Sequence, residues 1–116
     1  MLSNTGINKI ILLGQITSDP FTNSTVKNQD YLNITLLTNE LIKRGERSVE
    51  HNEYHKIKVP VKLLIPDYLQ LEPGQLLYIE GKIQTRSYID EQRIKRYDLE
   101  ILASKVELIS FVNVIV

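Results

Sequence analysis

Apolar residues along this chain recur with the two-residue period of a strand and almost nowhere with the spacing of a helix. Residues 7–14 are apolar on both parities, with Ile11 and Leu13 on one side and Ile10 and Leu12 on the other. A strand of that kind is covered on two faces, and in a small domain the second cover is expected to be another subunit. Residues 31–38 form the next strand. Leu32, Ile34 and Leu36 point inward, Tyr31, Asn33 and Thr35 point outward, and Leu37 breaks the polar face. A third strand spans 54–59. Residues 76–89 and 96–108 make a long hairpin about Asp90-Glu91-Gln92-Arg93, with Tyr97, Leu99, Ile101 and Ala103 alternating with Arg96, Asp98 and Glu100 on the return.

The connections read less regularly. Residues 17–28 are polar and turn-like, with Asp19-Pro20 favouring an extended or turn conformation. Residues 39–52, polar and charged about Gly45, read as a long mobile hairpin loop. Residues 61–71 are the one plausible helix, with Pro66 placed near an end or a kink, and Glu72-Pro73-Gly74 is a turn. The predicted fold is therefore all-β with one short helix between the third and fourth strands. That order fits the five-stranded Greek-key barrel of the oligonucleotide-binding (OB) fold, here with long hairpins. Residues 1–110 form this domain, and 111–116 are a short apolar extension.

Two strands carry chemistry on the face turned away from the core. In the fourth, Leu77, Ile79 and Ile83 share one side with Gly81 and Thr85, whereas Tyr78, Lys82, Arg86 and Tyr88 share the other. In the third, His55, Ile57 and Val59 oppose Tyr54, Lys56 and Lys58. Cations hold phosphates and rings stack on unpaired bases, so such faces suit a single nucleic-acid strand. Two half-exposed strands with solvated lysines would show the same pattern. Lys43, Arg44 and Arg47 in the loop are further phosphate contacts, diluted by Glu40, Glu46 and Glu50, or else simply solvated.

Composition narrows the classes. The 116 residues, 42% hydrophobic and 24% charged, describe one ordinary globular domain. Fourteen basic residues balance fourteen acidic ones, so any nucleic-acid binding must come from charge segregated onto one face. There is no cysteine, which excludes disulfides and thiolate metal sites. No run approaches the roughly 20 apolar residues of a membrane helix, and the first residues lack the features of a signal peptide, so an intracellular protein is expected. His51, Glu53 and His55 fall where loop runs into strand rather than on a helix, and no third ligand is evident, so no metal or other cofactor is expected. No nucleophile elbow, phosphate loop or acid pair points to an enzyme.

In series, these residues resemble the bacterial and mitochondrial single-stranded DNA-binding proteins. The matching segments include Gly6-Ile7-Asn8-Lys9-Ile10-Ile11-Leu12-Leu13-Gly14, Asp19-Pro20, Asn33-Ile34-Thr35-Leu36, Glu53-Tyr54-His55-Lys56-Ile57, residues 74–86 and Arg96-Tyr97. The resemblance covers roughly residues 6–109. It implies sequence-independent binding and protection of single-stranded DNA in replication, recombination and repair, by a homotetramer built as a dimer of dimers. Tyr54 and Tyr88 fall where the family usually stacks tryptophans. Lys56, Lys62 and Arg86 fall at basic positions, Lys43 lies in the DNA-gripping loop, and Lys58 and Lys82 extend the cationic faces. Ile7, Lys9, Ile11, Leu13 and His55 are the expected subunit contacts. The location implied is the bacterial cytoplasm with its nucleoid, or an organelle such as the mitochondrial matrix.

Three departures accompany the resemblance. Ile42 stands where a third stacking ring is expected, and Pro60 replaces another. The glycine-rich tail with an acidic tip, by which such proteins recruit replication and repair partners, has no counterpart up to Val116, so recruitment of that kind is not expected. At ~1–3 kcal/mol per stacked base, two lost rings cost roughly 2–6 kcal/mol. The alternative reading is a barrel that has become a structural or interaction subunit of a larger complex.

Overall fold

The computed structural model describes residues 5–24, 30–64 and 71–111. Six strands are present: β1 (Ile10–Ile16), β2 (Phe21–Ser24), β3 (Asp30–Arg44), β4 (Arg47–Pro60), β5 (Gln75–Ile89) and β6 (Lys95–Phe111). They form one sheet in the order β1-β5-β6-β4-β3-β2, and β1 also pairs with β3, which closes five strands into a barrel with β2 as an outer edge. All pairings are antiparallel except β4 with β6, where Ile57 and Lys58 lie beside Ile101 and Leu102. The expected OB-type barrel is thus present.

Its core is the set of inward residues that strand periodicity selects. Ile34 and Leu36 from β3, Ile57 and Val59 from β4, Leu77 and Ile79 from β5, and Ile101 and Ala103 from β6 are buried, together with Ile16, Leu64 and Leu71. Each large side chain removed from water contributes ~1.5–3 kcal/mol, and the alternating outward residues remain free for surface chemistry. Gly81 is buried where β5 crosses β6. A Cβ there would collide with the Leu102 carbonyl oxygen. The sharp curl of β5 therefore requires the smallest residue at this position.

Three expectations need correction, and a fourth falls largely outside the described residues. Residues 39–52 are not a loop, because β3 and β4 continue as a paired ribbon to Arg44 and Arg47. Only Gly45 and Glu46 turn the chain, with Gly45 at a φ of 67° as a tight hairpin demands. A polar ribbon needs no buried face when its backbone is paired. Asn39 also donates to Glu50 at 2.6 Å and to Asn52, while Ile42 lies opposite Val49. The turn-like stretch after Asp19-Pro20 contains β2, which pairs with β3 from Phe21↔Asn33 to Ser24↔Asp30. Of the expected helix at 61–71, Val61–Leu63 form a 3-10 turn and residues 65–70 lie outside the described residues. Phe111, assigned to the terminal extension, is the last residue of β6 and pairs with Gln75, while 112–116 lie outside the described residues.

The long β5–β6 hairpin turns where expected. The Asp90 carboxylate accepts from the Gln92 and Ile94 amides, both at 2.9 Å, and from Arg96 Nε at 2.8 Å. Arg93 adopts the left-handed conformation, φ 62°. β6 carries two irregularities of register, opposite Leu76/Leu77 and Glu80/Gly81. Ile83, expected on the core face, lies beyond the second and is 37% exposed, although its partner Ile101 is still part of the core.

Candidate nucleic-acid interface

Pairing partners in a sheet share a face, so the registers show which side chains assemble. On one outer face β2 offers Phe21, β3 offers Tyr31, Asn33, Thr35 and Leu37, and β4 offers Pro60, Lys58, Lys56 and Tyr54 in matching order. The parallel contact of β4 with β6 continues this face into Asp98 and Glu100, and β6 passes it to Arg86 and Gln84 on β5. The third and fourth strands of the sequence reading therefore do present their cations to one surface, although neither is the other's neighbour.

At the middle of that surface lies a groove of ≈ 240 Å³, lined by Phe21, Asn33, Thr35, Lys56, Lys58, Arg86, Asp98 and Glu100 above Ile34 and Ile57. It is smaller than the roughly 300–1,000 Å³ of small-molecule sites. A polymer crossing an open strip suits it better than a captured metabolite.

The charges in the groove are not all equal. Lys58 is half-buried, 3.6 Å from Glu100, and its ammonium stands 5.8 Å from the Tyr31 ring centre. Arg86 lies 3.5 Å from Asp98 and 5.6 Å from the Tyr88 ring centre. Lys56 is exposed and has no ion-pair partner among the described residues. The groove thus combines one uncommitted cation with two that already hold carboxylates. Asp98 and Glu100 were read only as outward residues of a strand, and their pairing across β5, β6 and β4 requires the tertiary register.

Other expected residues surround this centre. Tyr54, 64% exposed, lies along β4 from Lys56 and faces Leu37, which explains the apolar interruption of that face. Tyr88, 42% exposed, lies two residues beyond Arg86. Lys62 projects from the 3-10 turn, exposed. Lys43 is exposed on the Tyr54 side of the ribbon, whereas Arg44 and Arg47 pair with each other in register on the opposite side, near its tip. Ile42 also belongs to that opposite side, so it does not continue the row that contains Tyr54.

Two residues of the predicted β5 line do not enter the groove. Tyr78 faces Leu13 of β1 and donates to Glu80 at 2.6 Å. That hydrogen bond, with Lys9 and Lys105 nearby, holds the Glu80 carboxyl below its usual range against the opposing effect of burial. Lys82 lines a separate cleft with Asn8, Lys9, Glu80 and Ser104.

The expected subunit contacts occupy the β1 side. Ile7, Ile11 and Leu13 are 95%, 56% and 55% exposed, and Lys9 is 3.5 Å from Glu80. His55 accepts or shares a proton with Thr38 at 2.8 Å, while His51 meets Glu53 at 3.2 Å. No group of three His, Cys, Asp or Glu arranged to hold a metal occurs among the described residues.

A closed small barrel with an open face of rings and cations defines a β-barrel of the OB class, suited to extended polymers. Comparison with known proteins places it further. The family model described as "Single-strand binding protein family" matches residues 7–109, and the chain belongs to that family. It is 34% identical over 106 residues to single-stranded DNA-binding protein 1 of Chlorobaculum tepidum, covering 90% of this chain and 65% of the relative. It is 31% identical over 104 residues to the single-stranded DNA-binding protein of Neisseria meningitidis, covering 89% and 60%. The chain thus spans less than two thirds of the length of these relatives.

Among solved structures, the Plasmodium falciparum SSB complex with ssDNA aligns at a TM-score of 0.75 with 22% identity, covering 97% of this chain and all of that one. A deletion mutant of the single-stranded DNA binding protein from Thermus aquaticus aligns at 0.75 with 21% identity, covering 90% and 51%. At these identities the likeness concerns the fold. No helix among the described residues is long and apolar enough to cross a membrane.

Proposed function

We propose that this protein binds single-stranded DNA without sequence preference and protects it during replication, recombination and repair, as a non-enzymatic homotetramer. The observation that carries the reading is the placement of Tyr54, Lys56, Lys58, Arg86 and Tyr88 on one outer face around an open groove. Bases stack on Tyr54 and Tyr88, while Lys56, Lys58, Lys62 and Arg86 hold phosphates. Lys43, Arg44 and Arg47 reach a longer strand from the ribbon, and Lys82 meets it beside the barrel. The family and its bacterial relatives support this assignment and a cytoplasmic, nucleoid-associated site, with an organelle as the alternative.

Tetramer assembly is supported by the exposed apolar residues Ile11 and Leu13 on β1 and Ile7 just before it, the segment 10–14 being paired on one side only among the described residues. A two-fold contact there, with Lys9 and His55 at its margins, covers them. Replication and repair proteins are the partners this role implies.

The test is titration of labelled oligo-dT with the parent and with Tyr54→Ala/Tyr88→Ala. Loss of two stacked bases, ~1–3 kcal/mol each, predicts a fall in affinity of roughly 30-fold or more. Unchanged affinity in the double variant would remove the stacking role. No binding by the parent at low salt would favour the second reading, a structural subunit, for which the commitment of Lys58 and Arg86 to internal carboxylates is the supporting observation.

A further inference from the structure

Among the described residues Phe21 is the only aromatic side chain lining the groove, and it is 63% exposed. Exposure by itself is ordinary for a single apolar residue. Its surroundings are not, because the ring shares a groove floored by Ile34 and Ile57 with Asn33, Lys56, Lys58 and Arg86, as well as Asp98 and Glu100. Register fixes it there. Phe21 is opposite Asn33 on β3, which is opposite Lys58 on β4, so the backbones of Phe21 and Lys58 lie two strand spacings apart, ~10 Å. Asn33 Nδ2 also donates to the Phe21 carbonyl oxygen at 3.3 Å, anchoring the short strand that presents the ring.

We propose that Phe21 is a base-stacking residue, which carries the DNA path across β3 to the β2 edge. Tyr54 on β4 and Tyr88 on β5 occupy other margins of the same face, so Phe21 adds a platform on the side where neither reaches. Asp98 and Glu100 disfavour a phosphate in their part of the groove. Lys56, uncommitted and adjacent, takes the phosphate while an unpaired base turns onto the Phe21 ring. Pro60, where a ring was expected, lies on this same face of β4, so a platform on β2 restores aromatic area near the position that lost it.

The inference rests on the single-strand-binding reading and is tested beside it. The chain has no tryptophan, so Phe21→Trp creates a sole reporter at the site. Its emission is expected to be quenched on adding oligo-dT. Phe21→Ala is expected to weaken oligo-dT binding roughly 5- to 150-fold, the equivalent of one stacked base. It should leave the slope of log K against log salt unchanged, because no cation is removed. Phe21→Leu, which keeps an apolar side chain without a ring face, should stay weakened.

A parent that binds, with Phe21→Ala binding equally well and Phe21→Trp unquenched, overturns the stacking role and leaves the general reading intact. So does a variant that changes the mass of the assembly without changing affinity. A parent that does not bind overturns the general reading first, before any variant is made.

Discussion

Neutralising the two acids of the groove is the most direct probe of how it meets phosphate. Lys58 and Arg86 hold Glu100 and Asp98 at 3.6 and 3.5 Å, so a phosphate must displace a carboxylate before it gains either cation. In a Glu100→Gln/Asp98→Asn variant both cations are available at once. Each additional phosphate neutralised on a single strand steepens the plot of log K against log salt by about 0.7. Two steepen it by about 1.4, or roughly 25-fold tighter binding per subunit at 0.1 M salt.

The variant also has a cost in the unliganded barrel. The Lys58 side chain is only 17% exposed, and a largely buried group left without its partner costs about 1–3 kcal/mol. Arg86, at 54% exposure, loses an exposed pair worth about 0–1 kcal/mol. Melting should therefore fall with Glu100→Gln and stay near the parent with Asp98→Asn alone. The assay is fluorescence anisotropy of labelled oligo-dT across a tenfold range of salt, with circular-dichroism melts as control. An unchanged slope in a folded double variant would show that the two carboxylates withhold neither cation from phosphate.

Gly81→Ala should destabilise the barrel by at least ~1–3 kcal/mol, since the added methyl meets the Leu102 backbone and only a shift of β5 against β6 can accommodate it; a denaturant midpoint equal to the parent's would contradict that crossing. Asp90 has its carboxyl held below the usual range, first by the Arg96 hydrogen bond and then by the Ile94 amide. Its contribution to the hairpin turn is therefore complete above the unfolded carboxyl value, ~3.9, and is lost as pH falls through the lower folded value. Amide exchange at Gln92 and Ile94 should accelerate on acidification in the parent, and Asp90→Asn should remove that dependence.

Most of the barrel was legible because its strands obey period two over a single core. Ile34, Leu36, Ile57, Val59, Leu77 and Ile79 alternate cleanly, and the same alternation put Tyr54 and Lys56 outside. The β3–β4 ribbon was missed because Glu40, Lys43, Glu46 and Arg47 look like loop residues. A two-stranded ribbon satisfied by its own backbone pairing needs no hydrophobic face to announce it. Tyr78 and Arg86 share a parity on β5, yet barrel curvature turns one toward β1 and the other toward the groove. Phe21 was passed over within a polar stretch, since nothing local marks a four-residue edge strand. The acid partner of Lys58 depends on β4 lying beside β6, a contact that periodicity does not specify, whereas that of Arg86 is its cross-strand neighbour in the β5–β6 hairpin.

That parallel contact is only two residues long, Ile57↔Ile101 and Lys58↔Leu102, and the groove crosses the surface above it. A DNA strand engaging Lys56 and Phe21 on one side and Arg86 on the other would act as a clasp over a short seam. Ligand affinity and resistance of the barrel to opening then become the same quantity, with bound DNA raising the melting temperature in proportion to the logarithm of its concentration. The backbone amides of Ile57 and Lys58 should be among those whose hydrogen exchange slows most when the strand is in place.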